Sequence, residues 1–324
     1  MPMEMVQTKD IPNLIVFSET LQALAEIDRD ILVVTSDSRG SGKLVPFGEK
    51  FPDQIVEVGI AEQNLVGMAA GLASMGKKAF AVSPACFLTA RSLEQIKNDV
   101  AYSDNPVKLI GISAGVSYGA LGTTHHSLHD FAVLRAIHNL TIVAPCDNFE
   151  TAESIRQAAE MDSPVYIRFG KKGMPTLNRT IDPTFRIGQG RTIREGEDLT
   201  FIGTGEAVLP CEEAAEMLAE KHGIRCRVIS LHTIKPLDES LILAAAANGQ
   251  PVITAEEHSV HGGLGEAVAA LLFQNGCRNK FKIVGLPDEY TVNGSQIEIF
   301  DHYGISGKGL MGTALQLLGS GSGK

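Results

Sequence analysis

The chain has 324 residues, 44% of them hydrophobic and 20% charged, and its formal charge is −10. This length accommodates two globular domains. No apolar run is long enough to span a bilayer, and the negative charge argues against nucleic acid as the default partner. A phosphorylated metabolite stays open, because a few local cations suffice to hold one.

In chain order, the opening MPMEMVQTKD lacks the basic region and apolar segment of a secretory signal. Cys86, Cys146, Cys211, Cys226 and Cys277 are scattered without a CxxC pair, so reduced, buried thiols in a cytoplasmic protein are expected. Short apolar runs at 31–36, 54–58, 78–82, 107–113, 140–145 and 165–169 predict strands, and helical spacing appears near 13–27, 61–75, 88–101, 129–138 and 147–161. The strands do not alternate polar and apolar residues, as expected where both faces of a parallel sheet are covered. GKKGMPTLNRTIDPTFRIGQG (170–190) is rich in Gly, Pro and polar residues and predicts a connection packed on the surface. A second run of strands (198–205, 224–230, 251–257, 281–287) and helices (207–221, 238–247, 264–274) follows, and GSGSGK closes the chain. The fold class expected is α/β, with two consecutive domains of mostly parallel sheet. A first domain at 10–175, a linker at 176–190, a second domain at 191–318 and a flexible tail at 319–324 are the expected divisions.

Several motifs have a bland and a sharp reading. RGSGKL (39–44) contains Gly-Lys, but Leu44 stands where a phosphate-binding P-loop needs Ser or Thr. GTGEAV (203–208) lacks the full GxGxxG pattern, so both read as strand-to-helix turns. His125, His126 and His129 in GTTHHSLHD allow a metal pair, substrate contacts or a solvated cluster. Arg168 and Lys171–Lys172 close the strand VYIRF and begin the connection, where cations either clamp a phosphate or sit solvated on a loop. EEHSVHGGLGEAV (256–268) reads as turn chemistry or subunit contact, since no nucleophile is paired with a base.

EVGIAEQNLVGMAAGLA, with SPACFLTARSLEQIKNDVAYSDNPVKLIGISAGVSYGALGTTHHSLHDFAVLRAI, resembles the pyrimidine-binding domain of transketolase-like thiamine diphosphate enzymes. LHTIKPLDESL and TAEEHSVHGGLGEAVAALL resemble the C-terminal domain of the same group, so the resemblance covers roughly residues 10 to 315. Those enzymes bind magnesium and the diphosphate through a GDG motif followed by Asn, and this sequence contains no GDG. The resemblance therefore implies the C-terminal half of a split transketolase. An N-terminal partner subunit carries the GDG and Asn and most of the hold on Mg2+, and the two kinds of chain form a heterotetramer.

The resemblance also assigns expected roles. Glu62 matches the carboxyl that bonds pyrimidine N1′ of the cofactor, and burial beside apolar residues is expected to favour a shared proton there. Without the resemblance, Glu62 reads as an acid favourable to a helix N-terminus. Phe87 matches the aromatic stacking on the pyrimidine, with Ile60 and Leu88 as neighbours and Asp37 facing the cofactor region. His125 matches a substrate-contacting histidine, here in GTTHH, and is expected to take part in catalysis, with His126 beside it. Ser41, Arg39 and Lys171 fall near phosphate-contacting positions. Leu121 replaces an Asp that senses a sugar hydroxyl, Ser113 stands where a His is common, and Lys171 replaces a bidentate Arg. These departures imply a ketose other than xylulose 5-phosphate, with branched, sulfonated and truncated sugars all open.

Three functions compete. A transketolase subunit transfers a two-carbon ketol unit from a ketose, expected to be phosphorylated, to an aldose phosphate. The β subunit of a 2-oxo acid dehydrogenase uses the same domains but needs no phosphate clamp. A regulatory subunit without activity is the non-enzyme reading, against which Glu62 and Phe87 argue. Deoxyxylulose phosphate synthase is normally one long chain.

Overall fold

The computed structural model describes residues 11–177 and 180–319. The apolar runs of the first half become a sheet with strand order Thr233–Lys235, Thr141–Val143, Val165–Phe169, Lys108–Ile112, Lys78–Pro84, Ile31–Thr35 and Ile55–Glu57. All pairs are parallel except the first, which is antiparallel. The central strands Lys108–Ile112 and Val165–Phe169 are buried at every position, so helices cover both faces. The second half forms a five-stranded sheet, ordered Phe281–Leu286, Val252–Ser259, Leu199–Gly203, Cys226–Ser230 and Arg191–Arg194, with only the last strand antiparallel. The α/β class with mostly parallel sheets is thus as the sequence predicts. No helix among the described residues is long and apolar enough to cross a membrane.

Local chemistry sets the helix ends. Asp147 accepts from Glu150 N at 2.8 Å and caps Asn148–Glu160, and Ser295 forms a capping box with Glu298 ahead of Gln296–Tyr303. Glu256 takes the N–H groups of Leu264 and Gly265 at 2.7 and 2.8 Å, capping Leu264–Gln274 from a neighbouring strand. The glycine-rich 256–268 segment therefore serves structure, as its turn reading expects.

Two expectations need correction. The single helix over 88–101 is divided into Ala85–Arg91, Leu93–Gln95 and a π-helical stretch Ile96–Tyr102, broken at Ser92, whose hydroxyl bonds Leu88 O at 2.5 Å. The connection over 170–190 does not merely lie on the surface: Met174, Leu177 and Phe185 are buried, and Phe185 packs 4.2 Å from His232. Its Gly173–Met174 pairs with Ile11–Pro12 as a small antiparallel ribbon. Gly319 ends the helix Gly307–Leu318 at a left-handed φ of 81°, and residues 320–324 of the expected tail lie outside the described residues.

The halves meet over buried charge. Glu257 accepts from Val116 N at 2.9 Å, and Glu206 accepts from Gly170 N at 3.0 Å. The amide of Gln296 donates to both carboxyls, at 2.8 Å to Glu257 and 3.0 Å to Glu206. The carboxyls reach those positions because Gly115 and Gly170 carry no side chain: a Cβ would lie 2.2 Å from Glu257 Cδ or 2.4 Å from a Glu206 oxygen. A second tie is the ion pair of Arg191 with Glu150 at 2.8 Å, both nearly inaccessible.

Burial, then the neighbouring Glu206, pushes the Glu257 carboxyl up to about 8, and burial raises Glu206 as well. A carboxyl whose pKa rises on folding contributes stability that is full below its ordinary value of 4.5 and is lost as pH climbs through about 8. The thermal midpoint is expected to fall across that window, and scanning calorimetry of Glu257→Gln to give a flatter profile. An unchanged slope in Glu257→Gln would assign the pH dependence to other groups.

Candidate active site

Every residue singled out in the sequence as a site candidate follows the carboxyl end of a strand in the seven-stranded sheet. Asp37, Arg39 and Ser41 follow Ile31–Thr35, and Ile60 and Glu62 follow Ile55–Glu57. Phe87 and Leu88 follow Lys78–Pro84, the segment from Ser113 to His126 follows Lys108–Ile112, and Lys171 follows Val165–Phe169. Ligands bind along this edge of open parallel sheets.

Glu62 begins the helix Glu62–Ser74 and is only 4% exposed. Its surroundings correct the expectation of an apolar niche, because Arg91 Nη1 donates to both carboxylate oxygens, at 2.9 and 3.1 Å. The guanidinium lies 4.3 Å over the Phe87 ring. Phe87 meets His125 edge-on at 5.3 Å, and His125 meets Tyr118 edge-on at 5.4 Å. Lys171 Nζ sits 4.5 Å over Tyr118. Carboxylate, guanidinium, three rings and ammonium thus form one contiguous array. Ile60, Ala61, Glu62, Gln63, Asn64 and Arg91 line an open cleft of about 540 Å³ at its acidic end. A more enclosed cavity of about 350 Å³ between the halves, with Lys172, Glu206 and Lys308, shares no residue with the array.

The other candidates divide. His125 Nδ1 bonds Thr124 Oγ1 at 3.0 Å, and Nε2 has no hydrogen-bond partner among the described residues. Exposed Asp37 (φ 52°) is held by its N–H to Glu57 Oε1 at 2.6 Å, and Arg39 pairs with the same carboxylate at 3.5 Å. Half-buried Ser41 bonds Ser38 O at 3.1 Å. Ile60 and Leu121 are exposed, at 73% and 56%. Burial lowers the Lys171 pKa, and Lys43 nearby adds to the effect.

Four assignments are corrected by burial. Leu88, one position from Phe87 on the helix, turns into the core and is inaccessible. Ser113 is fully buried at φ 56° and presents no surface to a ligand. Both nitrogens of buried His126 are engaged, Nε2 with Gly119 O at 2.9 Å and Nδ1 with Thr291 Oγ1 at 3.2 Å, so it staples its loop. Arg168 is no phosphate clamp: it pairs with Asp130 at 2.7 Å while donating to Glu257 O at 2.8 Å, and both side chains are buried. Nor do the histidines converge on a metal, since His129 faces Thr89 at 3.2 Å, and no group of three or more metal-ligating side chains occurs among the described residues.

Arg91, Tyr118 and Glu57 contact the candidate residues and were not singled out in the sequence. The signal for Arg91 was its place four residues after Phe87, which puts both on one helical face. Nothing local marked Tyr118 or Glu57.

The Glu62–Phe87 corner fits one end of a thiamine-type cofactor. A flat, hydrogen-bonding cation already rests on that ring and that carboxylate, so the corner accepts a planar polar group.

Comparison with known proteins gives concordant findings. Residues 11–176 match the transketolase pyrimidine binding domain, and residues 188–310 match the transketolase C-terminal domain. The chain is 47% identical over 302 residues to one subunit of the apulose-4-phosphate transketolase of Phocaeicola vulgatus, covering 93% of this chain and 96% of that one. It is 36% identical to the 1-deoxy-D-xylulose-5-phosphate synthase of Heliobacterium modesticaldum, covering 93% of this chain but 46% of that protein. A solved split-gene transketolase, described as an inactive beta4 tetramer, superposes with a TM-score of 0.84 at 33% identity, covering 95% of this chain and 98% of that one.

Burial of Arg168 yields a direct prediction. Arg168→Met is expected to lower stability to urea by about 3–5 kcal/mol, because Asp130 is left buried and uncompensated. A stable Arg168→Met protein with only a weakened affinity for phosphate would restore the clamp assignment.

Proposed function

The chain belongs to the transketolase family, and from that premise we propose that it is the C-terminal subunit of a two-chain transketolase. In this reading it moves a two-carbon ketol unit from a ketose phosphate to an aldose phosphate, and acts only with an N-terminal subunit in a heterotetramer. The observation that carries the reading is the array from Glu62 to Lys171 on one sheet edge, which ends in a carboxylate at one side and a cation at the other. The match to a relative along nearly the full length of both chains supports it.

Thiamine diphosphate, when bound, supplies a nucleophilic thiazolium carbon. Glu62 holds a proton against pyrimidine N1′, and Phe87 offers its ring face, with Ile60 at the rim and Asp37 on the cofactor side. His125 Nε2 faces a sugar oxygen and donates to it in the tautomer whose Nδ1 accepts from the Thr124 hydroxyl. Lys171, with Arg39 and Ser41, holds the phosphate of the sugar. The magnesium ion and the diphosphate fall to the partner subunit. Leu121 offers no hydrogen bond where an Asp reads a hydroxyl in relatives, which favours a donor lacking that hydroxyl geometry. A branched ketose such as apulose 4-phosphate is the first to test, given the named activity of the Phocaeicola relative. The second reading, condensation of pyruvate with an aldehyde phosphate, draws on the likeness to deoxyxylulose phosphate synthase.

The chain and its N-terminal subunit, mixed with magnesium and thiamine diphosphate, are to be assayed with apulose 4-phosphate, xylulose 5-phosphate, a sulfonated ketose, and pyruvate with lipoamide or glyceraldehyde 3-phosphate. Ketol transfer from a ketose phosphate, with neither chain active alone, is the expected result. Turnover of pyruvate alone would overturn it. Glu62→Ala is expected to lower turnover by about 10²–10⁴-fold with an unchanged circular dichroism spectrum; an active Glu62→Ala enzyme would remove Glu62 from the chemistry.

A further inference from the structure

Arg91 is the last residue of the short helix Ala85–Arg91, and the chain breaks at Ser92 immediately afterwards (φ −114°, ψ 25°). Its side chain is 47% exposed, whereas its partner Glu62 is 4% exposed. A single nitrogen, Nη1, meets both carboxylate oxygens, and the guanidinium carbon lies 4.3 Å over the Phe87 ring centre. Phe87 is also bounded by the edge contact with His125.

These are the two surfaces that an aminopyrimidine ring needs: a carboxyl for its ring nitrogen and an aromatic face for its plane. A guanidinium is flat, delocalised, weakly hydrated and rich in donors, so it satisfies both as a heteroaromatic ring would. A carboxylate buried without a partner is costly, and Arg91 relieves that cost while no ring is present. Guanidinium and ring cannot both hold the two Glu62 oxygens and the same ring face.

Resting on the proposed cofactor reading, we propose that Arg91 is a displaceable stand-in for the cofactor's aminopyrimidine. It keeps Glu62 paired and the Phe87 face covered in the cofactor-free chain, and it swings into solvent when the ring docks. The break at Ser92 and the half-exposed side chain let it move without disturbing the core. Cofactor affinity is then reduced by the fraction of molecules in which Arg91 is seated.

Two measurements test this. In scanning calorimetry of the full chain, Arg91→Met is expected to lower the thermal midpoint by several degrees, and adding Glu62→Gln to restore most of it, because the unpaired acid is then gone. A midpoint unaffected by Arg91→Met would overturn the holding role. In calorimetric titration of thiamine diphosphate with magnesium into the two-subunit assembly, Arg91→Met is expected to bind about three- to tenfold more tightly than the wild type. Equal or weaker binding would overturn the proposal alone, marking Arg91 as a bystander or a direct ligand. No binding by wild type or variant would remove the cofactor reading and the proposal with it.

Discussion

The ion pair of Arg168 with Asp130 is the constraint on which the rest of the structure turns. Both side chains are buried, so the pair is tolerated only because its remaining capacity is filled. Tyr166 Oη donates to the second Asp130 oxygen at 2.7 Å, and Phe131 N donates to the first at 3.0 Å. Arg168 reaches Ser127 O at 3.3 Å and Glu257 O at 2.8 Å, and its guanidinium lies 3.8 Å over Phe131. Burial alone would raise the Asp130 pKa, but Arg168, His258 and the Tyr166 hydrogen bond together outweigh it and hold the carboxyl below its ordinary value. One pair therefore ties a central strand, the segment that ends the histidine loop and the strand Val252–Ser259 of the second half.

That anchoring explains how two cations of one strand-to-loop segment take different work. Arg168 is consumed by the interior, whereas Lys171, three residues on, is exposed at the sheet edge with only an aromatic face beneath it. Between Lys171 and Glu62 the contacts are faces and edges of rings. In the proposed reading such a surface faces a ligand with an anionic end and a planar end, and the partner subunit faces the diphosphate.

Much of this was legible in the sequence. Continuous apolar runs such as VKLIGIS announced strands covered on both faces, and the family resemblance brought Glu62 and Phe87 to one site. What was not legible depends on contacts far apart in the chain. Nothing within VYIRF tells that Arg168 meets Asp130, and nothing near Glu62 tells that Arg91 fills its surroundings, since Ser92 breaks what local spacing presents as one helix. Leu88 and Phe87 differ by about 100° around a helix axis, so neighbours in sequence divide between core and cleft. The strand Arg191–Arg194 reads as polar because its buried Arg191 is satisfied by Glu150 from the other half. The helix Gly307–Leu318 is glycine-rich and is stabilised by its Ser306 cap and by packing on Val208–His222, neither of which propensity reports.

The short strand Thr233–Lys235 comes from the second half of the chain yet closes the outer border of the first sheet, beside Thr141–Val143. The two halves are interlocked through backbone as well as side chains. A first half produced by itself would present Thr141–Val143 as a naked border with unmet peptide groups, a template for pairing with other molecules. A cut in the connection at 178–190 would leave both pieces clasped. Modularity in the sequence is therefore not separability in space, and the second half is in part the cover that lets the first remain a closed body.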